Sequence, residues 1–179
     1  SVVDLSQQSQ FHVQQPVFWE IPSWRSHIIY VPQAVAALEG MPKELLVECL
    51  EYSSRQSFVQ PDWHQTFMKN IEAIILAMED KFLLPKGIFS EKKWNTLSGG
   101  ERQRCVIICG LLLALYISRT AFIRQILFSS SNIYDEERGS GELNREDSEG
   151  AILLLDEPCA ACDPHTTFAM EEVFQASGL

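Results

Sequence analysis

Basic charge is scarce in this sequence: 14 Lys and Arg stand against 24 Asp and Glu, giving a net charge of −10 and an isoelectric point near 4.8. Lys92-Lys93 is the only adjacent basic pair, so nothing resembles a stripe that tracks a phosphate backbone, and nucleic acid is not an expected partner. Long apolar runs are missing as well. The longest, Cys105 to Ile117, has 13 residues between Arg104 and Arg119, short of the roughly 20 that a bilayer-crossing helix needs, so a buried helix is expected there. The first residues, Ser-Val-Val-Asp-Leu-Ser-Gln-Gln, lack the basic start and apolar core of a secretion signal, which makes the cytosol the expected compartment. No Met stands at position 1, and an internal or truncated piece of a longer protein is expected. Cysteine is limited to five residues, an odd number that argues against a disulfide framework in a cytosolic chain.

What is present suffices for one substantial core: 179 residues, 46% of them hydrophobic, fit one domain with a lobe. The acidic excess is concentrated. Between Ser129 and Gly150 lie seven acids and two bases among Ser and Gly, too little apolar surface to offset the entropy of ordering, so residues 129–150 are expected to be a disordered acidic insertion. Such a surface loop is tolerated because closure entropy grows only logarithmically with length. It is read as a spacer, with docking or phosphorylation through Ser129 to Ser131 or Ser148 as the alternative. Upstream the chain reads as helical. Pro42 opens an amphipathic helix with Leu45, Leu46, Cys49 and Leu50 on one face. From Pro61, the three- and four-residue steps of Trp63, Phe67, Ile71, Ile74, Ile75, Met78 and Phe82 predict a longer helix that packs one stripe inward.

Two segments carry the chemistry. Leu97-Ser-Gly-Gly-Glu-Arg-Gln-Arg104 sets a Ser-Gly-Gly turn at the start of a helix, where first-turn amides and the positive helix end suit a phosphate. That helix is expected to begin near Gly99 and run through the apolar stretch, past Arg119 if Phe122, Ile123, Ile126 and Leu127 keep the period. Gly110 in its interior predicts close packing against the strand that follows. This strand, Ala151-Ile-Leu-Leu-Leu155, is short and apolar enough to be buried on both faces of a parallel sheet, and it delivers Asp156 and Glu157 at its carboxyl end, where ligands of α/β sheets bind. Of two adjacent acids, one can hold magnesium through water while the other accepts a proton from an attacking water.

In this order, LSGGERQR and ILLLDEP resemble the signature and Walker B motifs of the ABC (ATP-binding cassette) ATPase family. His27-Ile-Ile-Tyr-Val-Pro-Gln33 is similar to the family's Q-loop, and Ala160-Ala-Cys-Asp163 stands in the place of its D-loop. The resemblance runs from about Trp24 to the C-terminus, the acidic insertion excepted. It implies an α/β fold, an ABC-type P-loop NTPase core (RecA-like, partial) with an inserted helical subdomain over residues 34–96, and the signature helix, Walker B and D-loop over 97–179. ATP and Mg²⁺ are the implied ligands. Ser98, Gly99 and Gly100 would touch the γ-phosphate held by a second nucleotide-binding domain in a head-to-tail dimer, with Glu101 and Arg102 steadying that turn. Gln33 would sense metal and water, Asp156 would anchor Mg²⁺, Glu157 would polarise the attacking water, and Asp163 would couple the two sites. The implied partner is an integral-membrane transporter subunit, which places the chain peripherally at the cytosolic or stromal/matrix face of a membrane. Exposed aromatics such as Trp19 or Phe89 are candidates for that contact, with core filling as the alternative.

The sequence also departs from the family. It has no Gly-rich loop ending Gly-Lys-Ser/Thr to cradle phosphates, since Gly139-Ser-Gly141 leads into acids that repel phosphate. The family's switch histidine is also missing, and His165, in an Asp-Pro-His helix start, is expected to be a solvated helix-end residue. Cys159-Ala-Ala-Cys162 has the spacing of redox and zinc sites, but a closed zinc site needs four ligands and no second such pair exists. Cys105 and Cys109 are expected to be buried small hydrophobes. The approach Leu83 to Gly100 and the stretch Trp24 to Gln33 look most like the half-transporter ATPases of the bacterial iron-export and plant aluminium-tolerance type. Two other readings stand beside a transporter ATPase: a silent cassette that only lends its signature motif to a partner, and a soluble non-transport ABC factor.

Overall fold

The structure, a computed structural model, describes residues 25–33, 38–52, 59–118, 150–160 and 162–177. Its elements run β1 (Ile28–Val31), α1 (Pro42–Glu51), α2 (Pro61–Lys69), α3 (Ile71–Lys81), α4 (Ile88–Glu91), a 3₁₀ turn (Trp94–Thr96), α5 (Gly99–Ser118), β2 (Ile152–Leu155) and α6 (Pro164–Ser177). The acidic stretch 129–149, the continuation of the signature helix past Ser118, and Trp19 lie outside the described residues.

The architecture is organised around α5. Its 20 residues are buried almost continuously from Cys105 to Ile117, as expected of a helix apolar on all sides. Among the described residues no helix is long and apolar enough to cross a membrane. One side of α5 supports the strands and another meets α1. β1 and β2 pair in parallel, with Ile28 opposite Ile152 and Val31 opposite Leu155. The pairing is extended by Ile152 N–H to His27 O at 2.7 Å and Asp156 N–H to Val31 O at 3.0 Å.

Gly110 is where helix and sheet come closest. A Cβ there would press into Val31 Cγ2 and stand 3.3 Å from Leu153 Cδ1 and 3.5 Å from Ile29 Cγ2. The glycine contacts both strands, most tightly β1. The far face of the sheet is open: Tyr30 is 59% exposed, Ile152 51% and Leu154 47%. Burial of the β2 strand on both faces, expected from its apolar run, is therefore not found, because the described residues place a helix on one side of these strands only.

The helical segment matches its expected pattern with one break. Pro42 is the first residue of α1, the Glu44 carboxylate reaches back to the Met41 amide at 2.8 Å, and Leu46 and Leu50 are fully buried. The single long helix expected from Pro61 is two helices, α2 and α3, interrupted at Asn70. Asn70 Nδ2 donates to Thr66 O at 2.8 Å and its amide turns back to the Phe67 and Met68 carbonyls. Such local side-chain bonding to backbone competes with the helical ladder. The inward stripe survives, with Phe67, Ile74, Met78 and Phe82 fully buried. Phe89 is also fully buried, so it fills the core and is unavailable for a partner contact.

A buried acid fixes the approach to the Ser98-Gly99-Gly100 turn. Glu79, 1% exposed, accepts 2.8 Å hydrogen bonds from the amides of Gly87 and Phe89, and so ties α3 to the start of α4. Further along, Trp94 is buried and its amide donates to Gly40 O at 3.0 Å. That bond joins the segment after Gln33 to the one before Ser98.

Candidate active site

The ends of the two parallel strands bring four side chains together. Strand alternation places Tyr30, Leu154 and Asp156 on the open face, and the register sets Tyr30 diagonally across from Asp156. A long aromatic side chain spans that diagonal, and Tyr30 Oη donates to Asp156 Oδ2 at 3.1 Å. The bond to the carboxylate, which stabilises the protonated phenol, pushes the Tyr30 pKa up.

One residue on, Glu157 has φ of 45°, a left-handed conformation that costs a residue with a Cβ roughly 1 kcal/mol or more. This turn separates the two acids. Glu157 Oε2 accepts a hydrogen bond from Gln33 Nε2, which lies just beyond the end of β1. Each carboxylate thus has its own partner from the neighbouring strand and its extension, Asp156 with Tyr30 and Glu157 with Gln33. Both acids and Gln33 are exposed, and each pair leaves oxygen lone pairs for a ligand.

These donors fit a hard divalent cation. Mg²⁺ is bound by one or two carboxylates, waters and substrate phosphates in preference to an all-protein cage. Asp156, Glu157 and the Gln33 amide supply hard oxygens in that number, and no group of three His, Cys, Asp or Glu converges among the described residues. Cys159 and Cys162 do not build a cage either. The Cys162 thiol lies 3.8 Å from Met170 Sδ, and desolvation raises the Cys159 pKa. In α5, burial pushes Cys105 up to about 12 and Cys109 well above the ordinary thiol value, so both are inert packing groups.

The Ser98-Gly99-Gly100 turn is a separate, open structure. Ser98 N–H donates to Glu101 Oε2 at 2.8 Å and Glu101 N–H donates to Ser98 Oγ at 3.3 Å. This reciprocal capping box starts α5. The backbone N–H of Ser98 is the chief cause of a lowered Glu101 pKa. Arg102 closes the turn from the other side, Nη2 to Leu97 O at 3.3 Å. The amides of Gly99 and Gly100 are in the first turn, where no intrahelical acceptor exists. Gly99 is exposed and faces open space within 4 Å of where a Cβ would be.

Asp163 caps α6. Its carboxylate accepts the amides of His165 and Thr166, each at 3.0 Å, and the Thr166 hydroxyl at 2.7 Å. The Thr166 hydroxyl is the chief cause of its lowered pKa. Pro164 opens the helix and His165 is exposed in its first turn. His165 also borders an open groove of about 450 Å³ between α3 and α6, beside Leu83 and Phe168, and none of Gln33, Asp156 or Glu157 lines it.

Two contributors escaped the sequence reading. Tyr30 is visible only once the parallel register is known, although its even spacing along β1 was the available signal. Glu79 reads as one more charge within an otherwise apolar stripe, and only its burial reveals the loop that it holds. Comparisons with protein-family models, with curated proteins and with solved structures give no match to this chain.

Proposed function

We propose that this chain is part of an ABC-type nucleotide-binding domain, a partial P-loop NTPase core with an inserted helical subdomain, acting as the ATP-hydrolysing subunit of a membrane transporter. The observation that carries the reading is the meeting of Gln33 with Glu157 beside Asp156 at the ends of adjacent parallel strands. Nothing in the signature or Walker B segments, taken singly, requires that meeting. The open Gly99 turn at the head of a 20-residue helix supports it further.

In this reading Mg²⁺ supplies charge neutralisation of the phosphates. Asp156 and Gln33 would hold that ion, Glu157 would take the proton of the attacking water, and Gln33 would also fix the Glu157 carboxylate through its amide N–H. Gly99 and Gly100 present their amides to the terminal phosphate of a nucleotide held by an opposing domain, and Glu101 and Arg102 hold the turn in shape. Asp163 sets the geometry of the segment leaving Glu157 by capping α6. The phosphate-cradling loop required by the reading is not among these 179 residues, so the chain alone turns over little or no Mg-ATP. The membrane subunit and the second nucleotide-binding domain are the proposed partners, and the chain sits peripherally on the cytosolic or stromal/matrix face.

The test is the tagged chain purified from its own cells with its bound subunits, assayed for Mg-ATP turnover and for nucleotide retained after gel filtration. Glu157→Gln is expected to lower turnover by at least about 100-fold while nucleotide stays bound, because it removes a proton acceptor and not a binding contact. Gly99→Arg is expected to lose both retained nucleotide and turnover. Wild-type behaviour of both variants refutes the reading. A second reading is a silent cassette that lends only its signature turn; turnover lost in Gly99→Arg yet unchanged in Glu157→Gln supports it.

A further inference from the structure

The acid pair at the end of β2 is asymmetric in its partners. Glu157 meets an amide, which donates through nitrogen and keeps an oxygen free, whereas Asp156 meets a phenol. Tyr30 is anchored by its backbone in the β1–β2 pairing opposite Leu154, and its side chain, 59% exposed, reaches along the open face to Asp156. With Oδ2 engaged by the phenol at 3.1 Å, rotation of the carboxylate about its Cβ–Cγ bond is restrained and Oδ1 is left as the oxygen free to face a ligand. Ligating carboxylates are commonly held in this way by an outer hydrogen bond, whose loss weakens metal affinity.

We propose that Tyr30 is a positioning residue for the metal-facing carboxylate, its hydroxyl fixing Asp156 so that one defined oxygen addresses a hard divalent cation. The inference rests on the reading of Asp156 as a metal anchor. It gives a role to a residue of the His27–Gln33 segment to which the resemblance assigns none, and it assigns the cation site to both strands together. Tyr30 contributes no metal–ligand bond of its own; it removes the freedom that Asp156 would otherwise lose on binding.

The experiment uses the 179-residue chain and Mn²⁺ alone, with free metal counted from its six-line paramagnetic resonance spectrum. Wild type, Tyr30→Phe, Asp156→Asn and the double variant are compared, with circular dichroism and urea midpoints as folding controls. Tyr30→Phe is expected to weaken the site about tenfold without moving the urea midpoint, since the ring is exposed and keeps its apolar body. In the Asp156→Asn background the same change is expected to have no further effect, a non-additivity that a general structural defect does not produce. If Asp156→Asn loses Mn²⁺ but Tyr30→Phe binds as wild type or more tightly, the role given to Tyr30 is overturned and the metal-anchor reading stands. If Asp156→Asn binds as wild type, the metal-anchor reading falls, and the role of Tyr30 with it.

Discussion

Gly110 offers a sharp test of how the site is held. Substituting alanine in mid-helix ordinarily gains about 1 kcal/mol, because glycine gives up more backbone freedom on folding. Here the added methyl would be driven into Val31 Cγ2 and would crowd Leu153 Cδ1 at 3.3 Å. Val31 is 3% exposed and sits on a strand pinned to β2 by the ladder. Its β-branched side chain has little rotamer freedom with which to yield. Overpacking costs about 1–3 kcal/mol, and a methyl driven inside contact distance of a side chain with little room to yield takes the upper part of that range, so after the gain in helix propensity Gly110→Ala should lose about 1–2 kcal/mol net. With a urea slope of about 2 kcal/mol/M, the unfolding midpoint falls by about 0.5–1 M. Val31→Ala removes the obstructing methyl, and in that background Gly110→Ala should become neutral or stabilising. A Gly110→Ala variant more stable than wild type, by the full propensity gain, would falsify the close approach of α5 to β1. Because β1 also carries Tyr30 and leads to Gln33, the same variant should weaken Mn²⁺ binding by displacing the strand.

Two further predictions concern the frame of the Ser98-Gly99-Gly100 turn. Glu79→Ala leaves the amides of Gly87 and Phe89 without their buried acceptor and should cost about 3 kcal/mol, read as a lower urea midpoint together with faster hydrogen exchange at those two amides. Glu101 has a folded pKa below its ordinary 4.5, so its contribution to stability is present above that value and disappears as pH falls through the folded one. Glu101→Gln, which keeps the capping oxygen without the charge, should flatten the acid side of the stability profile below the ordinary carboxyl value of 4.5. An unchanged acid limb in that variant would remove Glu101 from the account.

The arrangement of the site follows from a mechanical separation of roles. α5 supplies a rigid floor, since a helix buried on all sides cannot shift without disturbing both strands and α1. The candidate site groups occupy the strand ends and the left-handed turn at Glu157, a strained backbone position of the kind that persists where surrounding contacts over-determine it. Asp163 and Glu101, each satisfied within its own helix cap, hold the flanking turns in place. The Glu79 and Trp94 contacts fix the segment between them.

Much of this was legible in one dimension. The Ser98 and Glu101 capping box, the Asp163-Pro164 helix start, the apolar run of α5 and the acid pair at the end of β2 all depend on residues within a few positions of one another. Local hydrogen bonding and hydrophobic period therefore specify them before any tertiary contact forms. The close approach at Gly110 was also signalled, because a glycine inside an otherwise excellent helix needs a steric reason. The break at Asn70 was hidden by an uninterrupted apolar stripe, since period reports which face is buried and not whether the axis continues. Only the tertiary structure decided that Tyr30 belongs to Asp156 and Gln33 to Glu157. Those pairings join residues 126 and 124 positions apart, and a parallel register, which no local preference encodes, is what sets them side by side.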